Sequence, residues 1–271
     1  MTPALISEDN TSSLIRENDY VMLYIDSKRR HIVKIESGKR FDSDRGVISH
    51  SEMIGRFYGS IVKTSLGAEV YLIRPTLEDL IYRIFRRPTQ VLYPKDIGLI
   101  MIKLDAWEGK RFLEAGVGSG VSTAFLARSV APTGRVYGYE IREDLARIAL
   151  ENLRRLNLDK YAEIKIRDVA EGVDERDLDG ALIDLPDPWR VVDSVYNAIR
   201  ESAPVVFFVP TVNQLNKLID ALLSDERWID IEVYELLERK YEVKRNAVRP
   251  SARMIGHTGY IIRARKALKQ R

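Results

Sequence analysis

Cysteine is absent from all 271 residues, which excludes disulfides, thiolate metal sites and cysteine nucleophiles and suits a reducing, cytoplasmic setting. Histidine is scarce: His31, His50 and His257 are too scattered to pair as metal ligands, so no metal is expected. No apolar run approaches the roughly 18 residues of a membrane span, and the first twenty residues lack the basic start and apolar run of a secretion signal. Neither membrane insertion nor export is expected. A large net charge is also missing, since 43 basic residues against 40 acidic ones leave only +3. Its distribution is uneven, however. Residues 239–271 hold eleven Lys or Arg and one acid, Glu242, a local net of +10, while residues 1–75 net +1 and residues 76–238 net −8. A basic end on an acidic body reads as a docking surface for a polyanion or as a solvated tail.

What is present is a globular composition, 45% hydrophobic and 31% charged, in two regimes. From Asp19 to Ile73, short β-type runs such as Tyr20–Ile25 and Glu69–Ile73 alternate with breakers at Asp26-Ser-Lys, Glu36-Ser-Gly and Gly67. That spacing predicts a small β-barrel-like domain over residues 1–74. Over residues 75–271 strands and helices alternate instead. Strands are expected at Arg111–Ala115, Arg135–Glu140, Ala162–Asp168, Gly180–Leu185 and Ala203–Pro210, with helices over 122–130 and 142–156. In the second helix Leu145, Ile148, Ala149, Leu153 and Leu156 follow the 3.6-residue period. Such alternation argues for an α/β fold with a doubly wound sheet.

The chemistry concentrates on one sheet edge. Glu114-Ala-Gly116-Val-Gly118-Ser119-Gly120-Val121 runs from a strand into a helix, where glycines allow a tight turn and close approach to a ligand. A dinucleotide fingerprint would need its third glycine at Val121; the G-x-G-x-G run after an acid resembles motif I of class I methyltransferases and implies S-adenosyl-L-methionine. Glu140, 24 residues after Gly116, ends the second strand, where a carboxylate can accept from ribose hydroxyls. Asp168, at the end of the third, can accept from an adenine amino group; either acid read alone would be a solvated or capping residue. The fourth strand runs into Asp184-Leu-Pro186-Asp-Pro188-Trp189, a proline-stiffened loop that resembles those of N-methyltransferases acting on base nitrogens.

Four segments in order sharpen the resemblance: Gln90-Val-Leu-Tyr93-Pro94-Lys95-Asp96, the glycine loop, the Asp184 loop, and Gly256-His257-Thr-Gly-Tyr260. Together, over roughly residues 74–265, they are similar to the tRNA adenine-58 N1-methyltransferase family in its single-subunit archaeal or bacterial form. The resemblance implies a class I methyltransferase Rossmann-like sheet behind a small N-terminal β domain, a homotetramer, and methylation of N1 of adenine 58 in the tRNA T-loop, with adenine 57 a further target in the archaeal branch. It implies that Asp184 is catalytic and also lines the cofactor site, that Tyr93 stands in the active-site cleft, and that Gln90 lies in a segment closing over the cofactor. Glu114, Gly116, Gly118, Ser119, Gly120, Val121, Glu140 and Asp168 then hold the donor. Arg249, Arg253 and His257 are candidate tRNA contacts, although Gly256–Tyr260 reads equally as a tight turn into the last strand. Two alternatives stay open at this point: a precorrin-type small-molecule methyltransferase, and a non-catalytic tRNA-binding subunit.

Overall fold

The computed structural model describes residues 13–268. Two compact units divide between Phe85 and Arg86, eleven residues beyond the 74/75 boundary read from the sequence. In the first, β1 (Tyr20–Tyr24), β2 (Arg30–Lys34), β3 (Arg40–Ser43), β4 (Gly46–Ser49), β5 (Ile61–Lys63) and β6 (Glu69–Ile73) precede one helix, α1 (Leu77–Ile84). Four of the strands form an antiparallel sheet in the order β2-β1-β6-β5, and β3 pairs with β4. Alternation explains the packing: Val21, Leu23, Val62, Val70 and Leu72 turn to one face and close a core with Ile35, Ile48 and Met53. Pro75-Thr76 breaks the last strand but also starts α1, because Thr76 caps it with Asp79 in a capping box.

The second unit contains α2 (Pro94–Leu104), β7 (Arg111–Ala115), α3 (Val121–Val130), β8 (Arg135–Glu140), α4 (Glu143–Arg155), β9 (Ala162–Ile166), β10 (Gly180–Ile183), α5 (Val192–Ala198), β11 (Pro204–Val209) and α6 (Val212–Leu223), then β12 (Trp228–Glu235), β13 (Tyr241–Lys244), β14 (Ala247–Pro250) and β15 (Tyr260–Lys266). Seven strands form one sheet in the order β12-β15-β11-β10-β7-β8-β9. β7 to β11 are parallel, and β15 runs antiparallel between β11 and β12. β11 is buried from Val205 to Val209, as a parallel strand covered on both faces must be. β13 and β14 pair only with each other and are almost wholly exposed. No helix among the described residues is long and apolar enough to cross a membrane.

This topology singles out one crevice. The chain enters the sheet at β7, steps outward through β8 and β9, then returns to the other side of β7 with β10 and β11. The direction reverses between β7 and β10, and the crevice beyond their carboxyl ends is the switch point where open α/β sheets take ligands.

Candidate active site

The glycine loop leaves β7 at that point, and its three glycines do different work. All are left-handed, with φ of 88° at Gly116, 56° at Gly118 and 81° at Gly120. A Cβ on Gly116 would come 2.1 Å from the Asp184 carbonyl oxygen, so this glycine lets the ends of β7 and β10 touch, where the Asp184 amide donates to Ala115 at 2.9 Å. A Cβ on Gly120 would meet Ala149 of α4 at 3.1 Å, so it is a packing glycine. Gly118 differs: a methyl there meets nothing nearer than Thr89 Oγ1 at 3.9 Å, which leaves its surface open to a ligand. Ser119 is buried with its hydroxyl unpartnered among the described residues, and Val121 opens α3.

Three carboxyl groups gather around this loop. Glu140 ends β8 and accepts from the Gly118 amide at 2.9 Å through Oε2 and from the Arg142 amide at 3.0 Å through Oε1, leaving a second lone pair on each oxygen. Glu114 is completely buried; Ser122 donates to one oxygen, and the other has no partner among the described residues. Burial, with the nearby charges of Asp184 and Glu140 adding to it, outweighs the Ser122 hydrogen bond and pushes Glu114 up to about 7. Asp184 follows β10; burial of its carboxyl pushes it up to about 7 as well, and no described side chain pairs with it. Asp168 caps the turn after β9, where Oδ1 accepts from the Ala170 amide at 2.8 Å. Two acids near neutrality, one of them with an oxygen unpaired among the described residues, favour a cationic ligand.

The remaining sequence-read residues are placed as follows. Tyr93 is the N-cap residue of α2 and half-buried. Gln90 is exposed and its amide folds back onto the Val91 carbonyl, while its neighbour Thr89 is the residue that approaches Gly118. His257 has both ring nitrogens engaged within the protein, by Glu235 and the Pro210 carbonyl. Arg249 is held by Glu242 across the β13–β14 hairpin, whereas the Arg253 guanidinium has no ion-pair partner among the described residues. The +10 segment is not one tail: β15 lies inside the sheet, and there Arg263 pairs with Asp230 and Glu232, and Arg265 with Asp230.

The model of the tRNA methyltransferase complex GCD14 subunit matches residues 68–252, and a TrmI-like N-terminal model matches residues 14–62. A Methanocaldococcus jannaschii protein described as tRNA (adenine(57)-N(1)/adenine(58)-N(1))-methyltransferase TrmI is 35% identical, over 91% of this chain and 94% of its own. The chain belongs to the tRNA (adenine-N1)-methyltransferase family. A SAM-dependent O-methyltransferase structure from Thermotoga maritima superposes with a TM-score of 0.89 at 35% identity, covering 97% of this chain and 98% of the other. The Aquifex aeolicus tRNA (m1A58) methyltransferase TrmI gives a TM-score of 0.82 at 31% identity, covering 95% and 100%.

Within that family fold, sequence reading passed over some residues that shape the site. Asn152 is fully buried on α4; its amide donates to the carbonyls of Ser119 and Arg86 at 2.9 Å each and accepts from the Arg86 amide at 3.0 Å. It ties the glycine loop to the start of the unit. Its place on the apolar stripe of α4 is the signal that a polar residue there has partners to satisfy. A cavity of about 670 Å³ lies at the opposite edge of the sheet, lined among others by Lys103, Lys110, Arg200, Arg263 and Arg265. Each of those cations already pairs with a carboxylate, so the charge there is spent internally.

Proposed function

We propose that this chain transfers a methyl group from S-adenosyl-L-methionine to N1 of adenine 58 of tRNA, acting as a homotetramer. The observation that carries the reading is Asp184: a half-buried carboxylate, unpaired among the described residues, beside the glycine loop at the switch point of a family methyltransferase fold. The residues fit the cofactor. Gly118 leaves room for its backbone-hugging portion, Glu140 and Asp168 keep acceptor capacity for ribose and adenine, and desolvated acids suit its positive charge. When bound, it supplies an electrophilic methyl group on a sulfonium.

The chain's own work is then orientation, charge and exclusion of water. Adenine N1 is a weak nucleophile, and its methylation leaves the ring positive. Ionised Asp184, accepting from the N6 amino group, raises electron density at N1 and stabilises that charge in a desolvated place. Two prolines stiffen the loop after it, so the carboxylate need not reorganise as the reaction proceeds. A base from a folded T-loop has to be extruded to reach this depth; Tyr93 and Trp189 are aromatic surfaces available to stack on it. The exposed β13–β14 hairpin, with Tyr241, Val243 and Val248 bare, offers surface for self-association. Both earlier alternatives lose ground, because a small-molecule enzyme needs no such family-wide match and a non-catalytic subunit would not need Asp184 with an intact glycine loop.

The test is direct. Unmodified tRNA transcript and labelled S-adenosylmethionine are incubated with the protein, and the modified nucleoside and its position are determined. Label on N1 of adenine 58 supports the reading; label on another atom, or none, overturns it.

A further inference from the structure

Two motifs remain that the methyl-transfer site does not account for, and they meet in space. At the start of α2 the Lys95 ammonium donates to Asp96 Oδ1 at 2.7 Å and to Thr258 Oγ1 at 2.6 Å. The Lys95 side chain is 10% exposed and that of Asp96 not at all, and Asp96 Oδ2 accepts from no described residue. One residue along, His257 Nδ1 lies 2.7 Å from Glu235 Oε1 and Nε2 lies 2.7 Å from the Pro210 carbonyl. An ionised carboxylate and a carbonyl only accept, so this seat favours the ring with both nitrogens protonated. The Pro210 carbonyl and Glu235 raise its pKa, while the charge of Lys95 acts against them; the Tyr260 ring packs beside it at 4.9 Å. Gly259 allows this seat, since a Cβ there would lie 2.3 Å from the Phe208 ring.

A buried ion pair is a poor source of stability, because desolvation offsets its attraction. Apolar residues would pack α2 on the sheet as well. What the pair adds is direction: Asp96 holds the Lys95 ammonium, and its bond to Thr258 Oγ1 ties the first turn of α2 to the turn before β15. The residue whose position follows is Tyr93, whose carbonyl accepts from the Asp96 and Ile97 amides at 3.0 Å each. Tyr93 lies between Thr89, which faces Gly118, and a helix packed on β10 and β11. We propose that Lys95, Asp96 and Thr258 form a latch that positions Tyr93 for methyl transfer, with His257 bracing the turn that carries Thr258. This rests on the methyltransferase reading of the site.

The test compares Thr258→Val, which keeps shape but loses the hydroxyl, with Thr258→Ser, which keeps it. Amide hydrogen exchange across residues 93–97 is measured without substrate, and single-turnover methylation with saturating tRNA and donor. Thr258→Val should speed exchange there and slow methyl transfer roughly tenfold, the scale of a small misplacement, with donor affinity unchanged; Thr258→Ser should restore both. Unchanged exchange in Thr258→Val removes the latch. Faster exchange with wild-type turnover makes the contact structural only and overturns the positioning role. A wild-type chain inert toward tRNA overturns the proposed function instead, while exchange still reports whether the latch exists.

Discussion

Desolvation holds both the fully buried Glu114 and the half-buried Asp184 near pKa 7, and at Asp184 the shift also bears on catalysis. Asp184 has to be ionised to accept from N6, so kcat/KM, which reports the free enzyme, should climb as pH rises through about 7 and then level off. Asp184→Asn should flatten that climb and lower single-turnover rate by roughly a hundredfold or more while the fold and donor affinity hold. A variant keeping more than about a third of the rate, or a wild-type profile flat from pH 6 to 8, removes Asp184 from the chemistry. Glu114 acts on stability. Its folded pKa is raised above the ordinary glutamate value of 4.5, so the native state binds the extra proton between there and about 7, and stability falls as pH rises through that window. The burial is complete, so ionisation costs up to about 3 kcal/mol. Glu114→Gln should therefore remove its share of the decline in melting temperature between pH 5 and 8, leaving the share due to Asp184, and at pH 8 should melt higher than wild type. A Gln variant whose pH dependence matches wild type would mean that water or a counter-charge reaches this carboxyl.

Among the elements, the glycine loop yields the sharpest contrast. Gly116 and Gly118 are two residues apart in one motif, yet the backbone of Asp184 fills the space beside one, while the other has only Thr89 Oγ1 at 3.9 Å, an ordinary contact. Gly116→Ala should drive the ends of β7 and β10 apart and lower the melting temperature markedly or prevent folding. Gly118→Ala should cost only the left-handed penalty of about 1 kcal/mol and leave a folded protein whose affinity for S-adenosylmethionine, read by calorimetry, falls tenfold or more. Equal destabilisation by both, or full affinity in Gly118→Ala, would put the donor elsewhere. This motif was legible because its residue types, spacing and place between strand and helix all pointed one way, and so was the alternation from β7 to β11. Other features were not. Pro75-Thr76 reads as a domain break, but the same pair is a helix cap, and α1 stays with the first unit. β13 and β14 bury neither face, so they carry no alternation to read. Asn152 and the Lys95–Thr258 contact join residues 33 to 163 positions apart, and no local period encodes them.

At the scale of the whole molecule, charge summed along the chain misleads where charge paired in space does not. The +10 of residues 239–271 includes Arg263 and Arg265, which face carboxylates within the sheet, so among the described residues the part left for a polyanion is mainly the hairpin and its flanks. Even there the cations are unequal: Arg249 is neutralised across the hairpin by Glu242, and Arg253 is not. Exposed pairs contribute little to stability, so breaking this one should leave the fold intact while freeing Arg249. If the hairpin grips tRNA phosphates, Arg253→Ala should weaken tRNA binding and shrink the slope of log K against log salt by about one unit, without touching donor affinity. Arg249→Ala should do less, since its charge is already offset. Glu242→Gln should move the other way, tightening tRNA binding and steepening the slope. Filter binding across a salt series with all three variants orders them. An Arg253 variant that binds as wild type does, together with a Glu242 variant that gains nothing, would leave the hairpin to self-association and move the tRNA surface elsewhere on the protein.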